Sequence, residues 1–150
     1  MVIRAIIFDC FGVLVGSSHQ TLLSLCPTER RIELMDASTS ADYGYIDRET
    51  YEQRVAQIIG RDLTEVHDII SQKRIRNESL IAYAAQLHRE YKTALLSNVG
   101  SNVIDRIFER DELDSLFDTI VLSYEVGMIK PNDDIYRLTA ERLGLPPAAC

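Results

Sequence analysis

The run Val2-Ile3-Arg4-Ala5-Ile6-Ile7-Phe8, broken off at once by Asp9-Cys10-Phe11-Gly12, constrains the fold more than any other stretch of the chain. A β-branched run with almost no polar interruption predicts a strand buried on both faces, as in a parallel sheet covered by helices. The polar turn predicts where that strand stops. Two further segments repeat the pattern: Thr93–Leu96 runs into Ser97-Asn98 and then Val99-Gly100, and Thr119–Leu122 runs into Ser123. In an open α/β sheet ligands bind beyond the C-terminal strand ends, so the polar residues collect at the edge where chemistry is expected.

Helical periodicity fills the intervals. Asn77 reads as an N-cap, with Leu80, Ile81, Ala84 and Leu87 on one face behind it. Ser101 predicts the cap of a next helix whose inner face is Val103, Ile104, Ile107 and Phe108. Pro131 predicts a helix start, with Asn132, Asp133 and Asp134 in the first turn and Gly144 past the end. From about Ser17 to Gln72 there is no strand pattern, but helical patterns start near Pro27, at Asp47 and at Thr64, and the stripe Tyr51, Val55, Ile58, Ile59 stops at Gly60. The expected architecture is a doubly wound, Rossmann-type α/β core of residues 1–16 and 77–150, with residues 17–76 as a helical cap over the C-terminal edge of the sheet.

Composition narrows the function. The 150 residues are 46% hydrophobic and 26% charged, the balance of a globular chain. With 16 Lys plus Arg against 23 Asp plus Glu, the net charge of −7 repels nucleic-acid backbones and anionic membranes, and Arg30-Arg31 and Lys73-Arg74 with Arg76 are too short and interrupted to form a basic patch. No apolar run approaches the roughly 20 residues that span a bilayer. The expectation is a cytoplasmic protein acting on a small molecule, without nucleic-acid or membrane partners. Cys10, Cys26 and Cys150 have no metal-ligand spacing and suit reduced thiols. His19, His67 and His88 are equally scattered, and Asp133-Asp134 are accounted for by the helix dipole.

Four pieces at strand ends carry a resemblance: Phe8-Asp9-Cys10-Phe11-Gly12-Val13-Leu14, Leu95-Leu96-Ser97-Asn98, Ser123-Tyr124-Glu125-Val126-Gly127, and Lys130-Pro131. In order and separation they resemble the haloacid dehalogenase (HAD) superfamily, specifically members with a helical cap inserted after the first strand. The resemblance implies that Asp9 is the nucleophile, forming an acyl-phosphate or ester that water later opens. It implies that Lys130 neutralises charge around Asp9 and the bound anion, while Ser97 and Asn98 contact substrate. The amides of Cys10, Phe11 and Gly12 would cradle anionic oxygens, and Glu125 would have a positioning role. Small organic phosphates are the implied substrates, with Mg²⁺ held by Asp9 and the Phe11 carbonyl.

Two departures qualify this. Phosphatases of the superfamily carry a second Asp two residues after the nucleophile as proton donor; here that residue is Phe11, so phosphatase activity is expected to be weakened or lost. Haloacid dehalogenases carry an aromatic there, because halide leaves without a proton, but residues 15–21 offer no arginine to grip a haloacid carboxylate. Dehalogenation and a non-catalytic binding role are therefore the alternatives. Superfamily members also continue past a segment like Leu143–Pro147 into a strand ending in an acidic pair that binds Mg²⁺, so weak metal affinity, an incomplete core and an unpaired edge on the first strand are expected. Such an edge favours association with a second copy.

Overall fold

A computed structural model describes residues 2–150; Met1, where the expected core begins, lies outside them. Strands β1 (Ala5–Phe8), β2 (Lys92–Ser97) and β3 (Thr119–Leu122) form a parallel sheet in the order β1-β2-β3. Phe8 pairs with Leu95, and Leu95 with Ile120, so all three strands end along one edge. The fully apolar expectation is met by the central strand, where Thr93 through Ser97 are all buried. The first strand is shorter than expected. Val2 is 77% exposed, and Ile6 and Ile7 are only partly buried, because β1 has a neighbour on one side alone.

On the sheet lie α5 (Glu78–Leu87), α6 (Arg110–Leu116), the short α7 (Ser123–Val126) and α8 (Asp133–Arg142). Asn77 caps α5 as expected, its side chain accepting the Leu80 N–H. The helix expected after Ser101 is replaced by a single 3-10 turn at Ile104–Arg106, and the true helix starts at Arg110. Asn102, with φ at 57°, takes the left-handed conformation and breaks the run. Val103, Ile104 and Phe108 are buried all the same, so the apolar spacing predicted burial without predicting helix. Pro131 also stands outside its helix: Asn132 is the N-cap, accepting the Asp134 N–H, and α8 begins at Asp133.

The inserted segment folds as α1 (His19–Leu25), which the sequence pattern did not show, α2 (Arg31–Asp42), α3 (Arg48–Ile59) and α4 (Leu63–Gln72). Asp47 caps α3 through the Thr50 N–H, and Gly60 ends it with φ at 67°. Helix α4 starts one residue before the expected Thr64, because Asp62 and Glu65 form a capping box. Leu22, Leu34, Val55, Ile59, Val66 and Ile70 make a cluster of their own, separate from the clusters against the sheet.

Two joins fix this helical layer to the core. At the first, the outgoing and returning chains lie side by side: the Gly16 N–H donates to the Ile75 carbonyl and the Asn77 N–H to the Leu14 carbonyl, both at 2.8 Å. A Cβ on Gly16 would fall 2.2 Å from the Lys73 carbonyl oxygen, so only glycine fits. At the second, the buried Ser123 hydroxyl donates to the Asp42 carbonyl at 2.6 Å and accepts the Val99 N–H at 2.9 Å. This latch seats the end of α2 on the C-terminal ends of β2 and β3. Ser123→Ala leaves both backbone groups without that partner and is expected to cost about 1–3 kcal/mol, read as a lower urea midpoint. An unchanged midpoint would show that the latch adds nothing to stability.

Candidate active site

The site is built outward from the turn after β1. Three amides, those of Val13, Leu14 and Val15, donate to the Cys10 carbonyl at 3.3, 2.9 and 2.9 Å, and the Gly12 N–H donates to the Val15 carbonyl at 2.6 Å. The loop is therefore a closed knot of backbone bonds, and Gly12 supplies the positive φ of 81° that it needs. Asp9 stands at its mouth. Its Oδ1 accepts the Cys10 N–H at 2.7 Å and lies 2.7 Å from Lys130 Nζ.

Lys130 is positioned from β2. Asn98 Oδ1 accepts the Lys130 N–H at 2.8 Å, and Asn98 Nδ2 donates to the Lys130 carbonyl at 3.0 Å, while Lys130 Nζ donates to the Leu96 carbonyl at 3.1 Å. The ammonium is 18% exposed against 42% for Asp9, so the carboxylate is the open partner and the lysine its backing. Asn98 thus has both ends of its amide engaged in holding Lys130, a task the sequence did not suggest.

The expected anion cradle is smaller than anticipated. Of its amides, Cys10 donates to Asp9 and Gly12 to Val15, so among the described residues only that of Phe11 lacks a partner. Ser97 is fully buried at the end of β2, and its hydroxyl makes one long bond of 3.4 Å to the Asn98 carbonyl. The Cys10 thiol is pushed up to about 12, first by burial and then by the charge of Asp9, so it stays protonated and inert. Glu125 is exposed and accepts from the Tyr124 hydroxyl at 3.1 Å.

Between the strand ends and the helical layer lies a chamber of about 260 Å³, lined by Phe11, Asn98 and Val99 from the core and by Asp42, Tyr51 and Arg74 from the layer above. Arg48 and Glu52 complete its wall and neutralise each other at 2.6 Å. Arg74 has no such partner. Among the described residues no carboxylate lies within ion-pairing distance, and burial, followed by the charge of Arg48, pushes its guanidinium pKa down. Asp42 is the acidic counterpart: its side chain makes no hydrogen bond among the described residues, and burial pushes its carboxyl up to about 6 against the pull of Lys130. Neither residue could be picked out beforehand. Each sits in a polar stretch without motif spacing and reaches the chamber only because two helices fold back over the sheet. Among the described residues no three His, Cys, Asp or Glu side chains group as a metal cluster.

The profile of the haloacid dehalogenase-like hydrolases matches residues 3–150. The chain belongs to that family. It is a hydrolase with the family's α/β fold, here with three parallel strands. The HAD family enzyme bt-2542 from Bacteroides thetaiotaomicron superposes with a TM-score of 0.76 at 17% identity, over 99% of this chain and 82% of that one. A HAD-like family hydrolase from Porphyromonas gingivalis gives 0.70 at 23% identity, over 99% and 80%. L-2-haloacid dehalogenase from Xanthobacter autotrophicus, with chloropropionic acid covalently bound, gives 0.66 at 20% identity, over 99% and 68%. No curated protein sequence matches the chain. No helix among the described residues is long and apolar enough to cross a membrane.

The Asp42 carboxyl links site to stability. Its folded pKa of about 6 lies above the ordinary 3.8, so its neutral form is favoured in the fold; that contribution is complete below pH 4 and is lost as pH rises through 6. Asp42→Asn is therefore expected to raise unfolding free energy at pH 8 by on the order of 2 kcal/mol and to change it little at pH 4. Urea unfolding at the two pH values checks this, and equal effects at both would contradict the burial argument.

Proposed function

We propose that this hydrolase is a phosphatase of small organic phosphates, working through an aspartyl-phosphate on Asp9. The observation that carries it is the 2.7 Å pair of Asp9 and Lys130, which line a cavity of about 460 Å³ with Leu96 and Tyr136; Phe11 of the β1 loop and Asn98, which holds Lys130, line the neighbouring chamber, where Arg74 has no carboxylate within ion-pairing distance among the described residues. A guanidinium half removed from water in an acidic protein is compensated best by an anionic ligand. The open Asp9 carboxylate attacks phosphorus and forms the P–O bond while the bond to the leaving oxygen breaks; water then opens the acyl-phosphate and releases phosphate. Lys130 offsets the negative charge that two approaching anions create. Phe11 lines one wall of the neighbouring chamber.

The bt-2542 enzyme has been solved in complex with magnesium and inorganic phosphate. Here the Asp9 carboxylate and the Phe11 carbonyl, which accepts no hydrogen bond among the described residues, fit Mg²⁺ as two of its oxygen ligands, since this ion usually keeps several waters. When bound, Mg²⁺ would draw charge from the phosphoryl oxygens.

A second reading has its own support. Phe11 is an aromatic where halide chemistry needs no proton donor, and Arg74 reaches the chamber although residues 15–21 contain no arginine, so a haloacid carboxylate also has a partner. One assay separates the two. With Mg²⁺ and a panel of sugar and alkyl phosphates, phosphate release that Asp9→Asn lowers by about 10³-fold or more is expected. Halide release from 2-chloropropionate without metal, and no phosphate release, would establish the dehalogenase instead.

A further inference from the structure

The protein carries a net charge of −7, yet a cavity of about 350 Å³ where the helical layer meets the core is walled by four arginines, and among the described residues none of its lining side chains is acidic. Arg48 reaches it from the first turn of α3, Arg74 and Arg76 from the chain returning out of the layer, and Arg106 from the 3-10 turn after β2. His67 and Ser71, one turn apart on α4, complete the wall. Asp9 and Lys130 line a different cavity.

Two of the four charges are matched within the protein. Arg48 lies 2.6 Å from the buried Glu52, and Arg76 pairs with Glu112 and, at 2.7 Å, with Glu78, while its Nη1 donates to the Ile107 carbonyl at 3.0 Å. Arg74 and Arg106 have no carboxylate within ion-pairing distance and no side-chain hydrogen bond among the described residues. Arg74 is half-buried and Arg106 exposed, so the cavity opens to solvent. Two unmatched positive charges that face one cavity repel, and a bound anion removes that cost. The backbone that carries them is fixed beforehand. The Arg74 N–H donates to the Ser71 carbonyl at 3.2 Å, the next residue is held by the Gly16 N–H at 2.8 Å, and the buried Ile104 anchors the turn that ends in Arg106.

The charge count selects the ligand. A guanidinium presents paired N–H donors that fit two oxygens of a phosphate, and a phosphate group carries close to two negative charges near neutrality, which matches two unpaired arginines where a carboxylate would match one. The Ser71 hydroxyl, which bonds to no protein group among the described residues, adds a donor. We propose that this cavity is an oxyanion site, distinct from the Asp9–Lys130 pair, that takes a phosphate group between Arg74 and Arg106. The group is either free phosphate or part of a small organic molecule. Since the two arginines belong to the chain leaving the helical layer and to the turn after β2, the bound anion ties layer to core at a third point, in addition to the Gly16–Ile75 pairing and the Ser123 latch. The site stands whatever chemistry Asp9 performs.

The test is titration with inorganic phosphate in magnesium-free buffer of constant ionic strength, followed by calorimetry and by amide hydrogen exchange. Saturable binding is expected, with slower exchange at residues 67–76 and 104–107. Arg106→Gln, an exposed change that should leave the urea midpoint without phosphate where it was, is expected to weaken this binding by about 10-fold or more. Ser71→Asp, which puts a carboxylate into the cavity, should abolish it, and Lys130→Gln should leave the protection at residues 67–76 and 104–107 in place. Glycerol 3-phosphate that binds more tightly than phosphate, and is lost in the same two variants, assigns the group to an organic phosphate; equal or weaker binding assigns it to the free anion. No saturable binding of either compound, or binding that Arg106→Gln and Ser71→Asp leave unaltered, overturns the proposal. Neither result bears on the phosphatase reading, which phosphate release with Mg²⁺ tests separately.

Discussion

Parallel pairing around a buried central strand is the constraint on which the rest of the structure depends. Because β1, β2 and β3 run the same way and in register, their C-terminal ends open along one edge, and the loops that hold the candidate site residues leave the sheet there. Asp9 follows β1, Ser97 and Asn98 close β2, and Ser123 follows β3. Residues separated by nearly the whole chain thereby meet, as when Asn98 grips the backbone of Lys130 and Lys130 meets Asp9. The backbone of the lysine is held by the Asn98 side chain at the end of β2, and its ammonium by the Leu96 carbonyl and the Asp9 carboxylate.

The helical layer is joined to this edge by contacts of two kinds. The paired backbone at Gly16–Ile75 and Leu14–Asn77 tolerates no added side chain, whereas the Ser123 latch depends on a single hydroxyl. Between the joins the chamber is lined by two ionisable groups, Arg74 and Asp42, that have no ion-pair partner among the described residues. Each costs stability in its charged form, since folding removes it from water without an ion pair among the described residues.

Much of the fold was legible along the chain. The apolar runs located all three strands, Asn77, Asp47 and Gly60 marked helix ends by cap chemistry that needs no tertiary contact, and the lack of strand pattern from Ser17 to Gln72 announced a helical layer. Local chemistry misled where a single residue overrode periodicity. Asn102 broke the run after Ser101 although its apolar residues still turned inward, whereas the expected unpaired edge on the first strand agrees with the order β1-β2-β3.

The candidate site divides along the same line. Asp9 and Lys130 could be named from the sequence because each stands beside a strand or helix boundary that local pattern reveals, and the order of those boundaries carries the family resemblance. Asp42, Arg74 and the latch of Ser123 could not. Their place depends on how helices α2 and α3 and the returning chain pack over the sheet, through contacts between residues far apart in sequence, such as Ser123 with Asp42. Periodicity reports which face of an element is apolar, and it carries no information about which polar side chain on a neighbouring element will be brought opposite. Sequence alone pointed to Asp9 as the candidate nucleophile and located its strand; only the tertiary structure decided that the Asp42 carboxyl and the Arg74 guanidinium line one chamber, because burial and electrostatic neighbours are properties of the packed chain.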